Sequence, residues 1–470
     1  MKIRNVFGLM LSVMLLLVAA GSSLAREPQP AGPSETVGVN ADPAANAPWF
    51  NIDVDTPGDV GQYSSVAIDP FNDTTYVSYY DTTNKALRMA MNRGFGSGGN
   101  CGPNNSWLCQ TVDSGADFGK YSSIAIKPFS GGGFYFPEIG IAYYDATNGE
   151  LKYAYGTICP TCSWSIDTVD IPLSFPLDPK GQYTSLKYDS NGKPYIAYYF
   201  ENTGNVDALV VASSVPSGGN CGYEYGSLTG KWQCDTIQDG EGVGQYASLA
   251  LDGAGNRHIA YYDGGNGDLW YATSSIGANC GPGGNTWLCY PVDSLNNVGQ
   301  YASLYVDNDN DFHIAYYDAT TDKLKYAFDK GSGGNCGVIF SAQCDTIDDM
   351  PTGYHPLGVS MAEDATSYPI IAYQSKEGGL NVARPAAALG LSGGGGNCGP
   401  APLFYTWYCE TIKPYYQLGP VRQGDFVSID LSPSGLATIG YYGSIHFTGG
   451  NLMVAYQRFQ DFLPLVMKNQ

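Results

Sequence analysis

The chain has 470 residues, 43% of them hydrophobic and 13% aromatic, and its 44 Asp and Glu against 23 Lys and Arg give a formal net charge of −21. An acidic balance of this size argues against nucleic acid and anionic membrane surfaces as partners, and it leaves cations, neutral glycans and basic proteins. The 61 Gly and 37 Tyr are typical of a chain with many turns and many sheet faces.

The N-terminus has the pattern of an export signal. Two basic residues precede an apolar run at 9–20, and Ser-Leu-Ala at 23–25 is a small-x-small cleavage pattern. Residues 1–25 therefore predict a secretory signal peptide; a transmembrane anchor is the alternative, which the short apolar run disfavours. Residues 26–47 are rich in Pro, Ala, Glu and Gly and predict a flexible leader. We expect the protein to be secreted or held on the extracellular cell surface.

One phrase of twenty residues recurs along the chain. It reads GQYASLALDGAGNRHIAYYD at 244–263 and GQYASLYVDNDNDFHIAYYD at 299–318. Similar copies begin at Gly61, Gly119 and Gly181, and weaker copies, which lack the first Tyr, begin at Pro356 and Gly424. A recurrence every few tens of residues predicts a repeat architecture, here of seven units.

Each unit contains four short runs rich in Val, Ile, Tyr, Thr and Trp, separated by turns of Gly, Asn, Asp and Pro. Four strands repeated seven times predict an all-β fold, a seven-bladed β-propeller over residues 48–460. The unit from Gly424 offers three strands, whereas the stretch 48–63 begins with an orphan strand before the first unit, so we expect this N-terminal strand to close the ring. Six or eight blades are alternative counts, because the sixth unit is long and contains Pro385.

Twelve cysteines fall into six local pairs, each between the third and fourth strand runs of one unit. The pairs are Cys101 with Cys109, Cys159 with Cys162, Cys221 with Cys234, Cys280 with Cys289, Cys336 with Cys344, and Cys398 with Cys409. Facing residues of a hairpin come within disulfide reach, so we expect six hairpin disulfides. Zinc is the competing interpretation, disfavoured because the chain has only four His. The second pair also matches the Cys-x-x-Cys redox motif, although its place in the repeat favours a structural disulfide.

Two repeated features are expected on one face of the propeller, because the connections after strands two and four of a blade emerge on the same side. Strand two ends in Tyr-Tyr-Asp, which supplies Tyr80, Asp81, Tyr144, Asp145, Tyr262, Asp263, Tyr317 and Asp318. The links between blades carry an Asp, namely Asp55, Asp113, Asp170, Asp293 and Asp348, and then a Tyr, namely Tyr63, Tyr121, Tyr183, Tyr246 and Tyr301.

This face is predicted to be acidic and aromatic. Aromatic rings stack on the C–H faces of sugars and carboxylates accept hydrogen bonds from their hydroxyls, so the face is a candidate glycan-binding surface. The alternative is that residues recurring in every blade serve packing, with Tyr between the sheets and Asp holding the turns. Departures from the repeat mark where the ring is asymmetric: Phe200, Gln374 and Gly443 replace the Asp of Tyr-Tyr-Asp, and Lys413 replaces a link Asp.

No cofactor or metal site is predicted, and calcium is the alternative. Asp-Asn-Asp-Asn-Asp at 307–311 resembles the start of a calcium loop with Asp318 at its twelfth position, but Phe312 stands where such a loop needs Gly. His258 and His313 share one position inside strand two, where we expect them to pack rather than to catalyse.

The Gly-x-Tyr-x-Ser and Ile-Ala-Tyr-Tyr-Asp elements resemble the repeats of secreted bacterial β-propeller proteins, a broad group related to sialidase-like and lectin-like propellers. The last ten residues, DFLPLVMKNQ at 461–470, resemble the FLPLV-type tails of exported bacterial proteins, which implies a sorting or surface-attachment signal. The Ser-x-Asp-x-Gly-x-x-Trp box of sialidases and the metalloprotease pattern His-Glu-x-x-His are both missing from the sequence.

The expected function is that of a secreted or cell-surface binding protein, a monomer whose acidic, aromatic face binds a glycan or a cell-surface protein. A sialidase-like glycoside hydrolase is one alternative, because 44 Asp and Glu allow many acid/base pairs. A structural or adhesive surface component is the other, since propellers host all three roles.

Overall fold

The computed structural model describes residues 47–458 except 94–97, 130–134, 158–162, 173–177, 203, 205, 223–229, 278, 339–340, 352–357, 365, 392–394, 400–405, 415–422 and 445–448. The predicted signal peptide, nearly all of the leader and the C-terminal tail lie outside these residues.

Seven sheets of four antiparallel strands surround a central channel, and we number them as blades in chain order. The first strand of the chain is β1 (Trp49–Asp55). Blade one contains β2 (Val60–Ile68), β3 (Thr75–Asp81), β4 (Ala86–Asn92) and β5 (Trp107–Asp113). Blade two contains β6 (Phe118–Ile126), β7 (Glu138–Asp145), β8 (Glu150–Thr157) and β9 (Ser165–Asp170). Blade three contains β10 (Lys180–Tyr188), β11 (Pro194–Phe200), β12 (Asp207–Gly219) and β13 (Gly230–Gly240).

The remaining blades repeat this order from the channel outwards. Blade four contains β14 (Val243–Leu251), β15 (Arg257–Asp263), β16 (Asp268–Thr273) and β17 (Leu288–Asp293). Blade five contains β18 (Val298–Val306), β19 (Phe312–Asp318), β20 (Lys323–Asp329) and β21 (Ala342–Asp349). Blade six contains β22 (Val359–Glu363), β23 (Pro369–Gln374), β24 (Leu380–Pro385) and β25 (Trp407–Lys413). Blade seven contains β26 (Gln423–Leu431), β27 (Ala437–Ser444) and β28 (Gly450–Gln457), with β1 as its outer strand.

The N-terminal strand closes the ring as predicted. β1 pairs antiparallel with β28, in a register that runs from Trp49 opposite Gln457 to Asp53 opposite Met453. Blade seven therefore joins both ends of the propeller, and the outer edge of β28 is paired rather than exposed. The seven-bladed prediction is confirmed.

The sixth unit forms an ordinary blade despite its Pro. Pro385 is the last residue of β24, and a short 3-10 helix (Ala386–Leu389) follows it. Two other short 3-10 helices, Pro103–Asn105 and Pro282–Gly284, lie in the same kind of hairpin. Within the described ranges no helix is long and apolar enough to cross a membrane.

A glycine near the start of each complete repeat brings neighbouring blades together. Gly61 has φ +106°, and a Cβ built on it would lie 2.6 Å from the Cα of Leu452 in the third strand of the preceding blade. Gly119 and Gly299 meet Leu87 and Leu269 in the same way, at 2.8 Å. Only a residue without a side chain fits this close approach at positive φ, which explains the first letter of the repeat.

The core lies between the blades. The first Tyr of each Tyr-Tyr pair, from Tyr79 in blade one to Tyr441 in blade seven, is fully buried. In blades one to six its hydroxyl donates to a side chain in the preceding blade's outer strand, as Tyr79 does to Asp55 at 2.6 Å and Tyr316 to Asp293 at 2.7 Å. Tyr441 of blade seven instead donates to Asn51, in the outer strand of its own blade, at 3.1 Å. These tyrosines therefore tie each of blades one to six to the blade before it.

Five of the six predicted disulfides are confirmed, each across a hairpin between strands three and four. The bonded pairs are Cys101–Cys109, Cys221–Cys234, Cys280–Cys289, Cys336–Cys344 and Cys398–Cys409. Their Cα atoms are 5.9–6.0 Å apart, in the usual range for a disulfide. The sixth predicted pair, Cys159 and Cys162, lies outside the described residues.

Candidate functional site

Six aromatic rings form a collar at one mouth of the channel. Each is the fourth residue of an inner strand; together they are Tyr63, Tyr121, Tyr183, Tyr246, Tyr301 and Phe426. Neighbouring ring centroids are 4.5–4.7 Å apart from Phe426 round to Tyr301. Blade six places Gly358 at this position, so the aromatic collar has one gap, between Tyr301 and Phe426.

All six collar residues have left-handed backbone, with φ between 51° and 55°. A bulky side chain in this region costs roughly 1–2 kcal/mol per residue. The inner strands are bulged at this point, as shown by the register shift between Gln62 and Ser65 in blade one. The bulge turns the aromatic residue out of the alternation of its strand and places its ring at the channel mouth.

The collar face carries a shallow depression of about 170 Å³, which is lined by the collar and by the residues that follow it. The collar rings are half-buried rather than enclosed. A cluster of partly exposed aromatic rings around a depression is a common setting for ligand binding.

A second tier of tyrosines supports the collar. The second Tyr of the Tyr-Tyr pair packs edge-on against the collar ring of its own blade, as Tyr80 does on Tyr63 and Tyr262 on Tyr246, with centroids 6.1–6.2 Å apart. Tyr144 contacts Tyr121 at 6.2 Å. The predicted tyrosines at the end of strand two therefore contact the predicted tyrosines of the links, which form the collar.

The hydroxyls of this second tier bond to acceptors at the rim. Tyr80 donates to Asp117 at 2.6 Å, Tyr262 to Asn297 at 2.7 Å, and Tyr317 to Asp322. Their rings are buried, and their polar atoms are used within the protein. Of the thirteen candidate residues, the five collar tyrosines are therefore those that face the depression.

The Asp residues of Tyr-Tyr-Asp hold the turns that follow strand two. Asp81 accepts from the backbone N–H and the side-chain amide of Asn84, at 2.9 and 2.8 Å. Asp145, Asp263 and Asp318 make the equivalent turn bonds. All four are buried, so their carboxylates build the rim rather than project from it.

The phenol groups of the collar tyrosines are uncharged at neutral pH. Burial raises the pKa of Tyr63, and Tyr121 beside it adds to this shift. Burial likewise raises the pKa values of Tyr183 and Tyr301, with Tyr246 as the next contributor. These hydroxyls stay protonated at neutral pH, so they can donate and accept hydrogen bonds but supply no phenolate.

Two carboxylates lie near the collar tyrosines. Burial raises the pKa of Tyr144 to about 12, and the carboxylate of Glu201 is the next contributor. Asp117 also adds to the raised pKa of Tyr63. Asp117 is ion-paired with Lys120 at 2.9 Å, whereas no ion pair is found for Glu201 among the described residues, so the charge of Glu201 favours neutral ligands over anions.

Below the collar, seven serine hydroxyls link the blades in a closed ring. The serine belt consists of Ser65, Ser123, Ser185, Ser248, Ser303, Ser360 and Ser428. Each oxygen accepts the backbone N–H of the next blade's inner strand at 2.9–3.2 Å, and Ser428 of blade seven closes the ring onto Val66 of blade one.

The predicted histidine position and the calcium alternative lie at the opposite face. His258 is buried, with Nδ1 2.5 Å from the hydroxyl of Tyr271, and His313 stacks on Tyr305 at 4.5 Å. Asp307 accepts the N–H groups of Asp309 and Asp311, both at 2.9 Å, and so closes an ordinary turn between β18 and β19. Asp318 lies at the far end of β19, so the twelve-residue loop does not come together.

No group of three His, Cys, Asp or Glu side chains is close enough to hold a metal ion in the part of the chain that the structure describes.

Three features of the site were missed by sequence reasoning. The first is Phe426, which takes the collar position in the seventh unit, where the copy lacks the Tyr. The serine belt could have been found, because a Ser stands two residues after the collar position in every unit. The gap at Gly358 was visible only as the loss of the first Tyr in the sixth copy. The sequence of a single unit does not show that the missing ring leaves a gap in the collar, because the gap depends on the spacing of rings from different blades.

Comparison with known proteins does not identify a family for this chain. Neither a protein-family model nor a curated protein matches the sequence. Among solved structures, the fucose-binding lectin of Aleuria aurantia is 12% identical over 77% of this chain and 97% of its own, with a TM-score of 0.42. The GH93 α-L-arabinofuranosidase of Fusarium graminearum is 11% identical over 87% of this chain and 98% of its own, with a TM-score of 0.41.

A protein of unknown function from Dyadobacter fermentans is likewise 11% identical over 87% of this chain and 98% of its own, with a TM-score of 0.40. Similarity at this level does not extend to ligands or to catalytic residues.

Proposed function

We propose that the chain is a secreted or cell-surface binding protein and that its aromatic collar binds a glycan. The observation that carries this proposal is the collar itself: six partly exposed aromatic rings held in an unfavourable backbone conformation at one mouth of the channel. Strained residues of this kind cluster at ligand sites more often than at purely structural positions.

Blade six folds without an aromatic residue at the collar position. With Gly358 at the collar position, blade six still forms four paired strands and still joins the serine belt. Glycine would also adopt the positive φ at no steric cost in the other blades. Packing between adjacent rings, worth about 0.5–1.5 kcal/mol per pair, offsets part of the strain. It does not require the rings to remain exposed at the channel mouth.

The chemistry of the collar suits a neutral sugar. Ring faces pack against sugar C–H groups, while neutral phenols both donate to and accept from sugar hydroxyls. The surrounding carboxylates disfavour uronic and sialic acids. The five disulfides support an extracellular location, because cytosolic thiols are kept reduced.

The first test is a glycan array probed with oxidised protein covering residues 26–470, in calcium and in chelator. We expect binding to neutral glycans that is the same in both buffers. A blank array in both conditions would count against glycan binding, and dependence on calcium would restore the metal alternative.

Collar variants then locate the binding. Tyr246→Ala should weaken the affinity for an array-positive glycan by about three- to tenfold, because a lost aromatic contact is worth about 0.5–1.5 kcal/mol. Phe50→Ala is the matched control, because Phe50 is an exposed ring on the outer strand β1, far from the channel. Equal affinities for Tyr246→Ala and Phe50→Ala in calorimetric titration would exclude the collar as the site.

A further inference from the structure

A second cavity opens at the other mouth of the channel. Its volume is about 900 Å³, and the inner strands of all seven blades supply its walls. Among the described residues, none lines both this cavity and the depression at the collar. The cavity is within the size range of small-ligand sites and is distinct from the site proposed above.

The serine belt gives this cavity hydrogen-bond donors on every side. Each belt oxygen is already an acceptor for a backbone N–H group. Within the described ranges, none of the seven hydroxyl protons is donated to a protein acceptor. A hydroxyl can donate while it accepts, so these protons are available to a ligand in the channel.

We call the residue two positions after each belt serine the wall position; it lies on the same face of its strand as the serine. The residue type at the wall position differs between blades. Four blades carry alanine there: Ala67, Ala125, Ala250 and Ala362. Blades three, five and seven carry Lys187, Tyr305 and Asp430 instead, and all three line the cavity. Because alanine satisfies blade packing four times, the fold alone gives no reason for a cation, a phenol and a carboxylate at the other three.

These three side chains differ in how they are held. Lys187 is exposed in the channel and forms no ion pair within the described ranges. Asp430 is held in place by the N–H groups of Ile68 and Leu431, at 2.7 and 2.9 Å. Burial raises the pKa of Asp430 and the charge of Lys187 opposes that shift, so the two groups act on one another across the channel. Tyr305 is fixed by parallel stacking on His313, with an interplanar angle of 8°.

The wall thus offers an ammonium donor, a carboxylate acceptor and an aromatic ring, below a ring of hydroxyl donors. A ligand with hydroxyl groups satisfies donors and acceptors together, because each hydroxyl can accept from Lys187 or a serine and donate to Asp430. Glu363 and Asp364 also line this mouth, so the lining is acidic overall and disfavours an anion.

We propose that this cavity is a second binding site, which takes a neutral polyhydroxylated ligand such as the terminal unit of an oligosaccharide, with Lys187, Tyr305 and Asp430 as its specific contacts. The proposal rests on the proposed function for the class of ligand, but it uses none of the collar residues.

The test compares two double variants by isothermal titration with the methyl glycosides of glucose, galactose and mannose, and with methyl glucuronide as the anionic comparison. Lys187→Ala/Tyr305→Ala removes two wall contacts and installs the residue that four other blades carry. Tyr183→Ala/Tyr246→Ala removes two rings of the collar. Lys187→Ala alone is also measured, because Lys187 is exposed and its loss leaves the core intact.

We expect a neutral glycoside to bind the collar variant, and to bind the wall variants at least about tenfold more weakly at this site, as for the loss of a charged hydrogen bond. Binding that is lost in the collar variant and unchanged in the wall variants would overturn this inference and leave the proposed function intact. Tighter binding of methyl glucuronide than of the neutral glycosides would overturn the ligand class. No binding of any glycoside to the unmodified chain would overturn this inference, whereas the proposed function stands or falls with the glycan array.

Discussion

One hydroxyl per blade holds the inner strands of this protein to one another. Each belt serine bonds a backbone N–H that lies 56–69 positions away along the chain, or 362 positions away where the ring closes. The bond crosses between sheets, so it adds to stability between blades rather than within one. The belt serine of each repeat is therefore a structural contact of the whole ring.

Removing one belt hydroxyl tests this role. Ser248→Ala leaves the N–H of Leu304 without its acceptor and should lower the free energy of unfolding by about 1 kcal/mol. The measurement is urea unfolding followed by circular dichroism. Ser217→Ala is the matched control, because Ser217 is exposed on β12 and should give no change. Equal stabilities for the two variants would show that the belt bond is not stabilising.

The two histidines predict a pH dependence of stability. Burial lowers the pKa of His258 and of His313, against the opposing effects of Asp252 and Asp307. The unfolded chain therefore binds more protons below its histidine pKa of about 6.5, and stability should fall as the pH drops from about 7 to about 5.5.

Replacing both histidines should flatten this dependence. Tyr occupies the equivalent position in blades one and three, as Tyr76 and Tyr195, so His258→Tyr/His313→Tyr installs a residue that the fold already accepts. Thermal unfolding at a series of pH values gives the comparison. An unchanged slope in the double variant would show that other groups cause the acid sensitivity.

At the level of elements, five of the seven blades combine a four-stranded sheet with a hairpin that the structure shows to be disulfide-bonded. The strands could be predicted from the sequence because their alternation and their turn residues are local. The disulfides could be predicted because both cysteines of a pair lie in one hairpin. The left-handed backbone of Tyr246 could not, since Gln-Tyr-Ala-Ser reads as continuous strand and the bulge is set by contact with the preceding blade. The wall position was missed for a related reason: Lys187 and Asp430 line one cavity only when the blades are arranged in a ring.

Loss of a single hairpin disulfide should destabilise the protein without changing its fold. Cys280→Ala/Cys289→Ala opens a short loop, for which the chain-entropy model gives about 2–3 kcal/mol. The denaturation midpoint measures this loss, and far-ultraviolet circular dichroism shows whether the strands remain. A midpoint equal to that of the unmodified chain would mean that this hairpin does not limit stability.

At the scale of the molecule, the ring depends on one strand from the other end of the chain. Val54 of β1 is buried between blades seven and one, among Val60, Val66 and Trp107. Closure therefore joins the N-terminal strand to the core of the first blade as well as to the sheet of the last. It also keeps the collar and the serine belt continuous across the seam.

A charge at this seam should open the ring. Val54→Asp places an unpaired carboxylate in the core and should cost about 3 kcal/mol or more. Phe50→Asp on the exposed side of the same strand should cost little. The comparison uses urea unfolding of both variants. Similar stabilities would contradict the role of β1 as the closing strand.

The two ends of the channel differ in chemistry, with aromatic rings at one and a mixed polar wall at the other. Binding of a neutral sugar by the aromatic collar can be observed in a crystal structure of the oxidised chain with the tightest array-positive glycan. We predict a sugar ring packed with its C–H face on the collar tyrosines and its hydroxyls within hydrogen-bond distance of the rim. A glycan found only on the outer edges of the blades, with the collar unoccupied, would contradict the account.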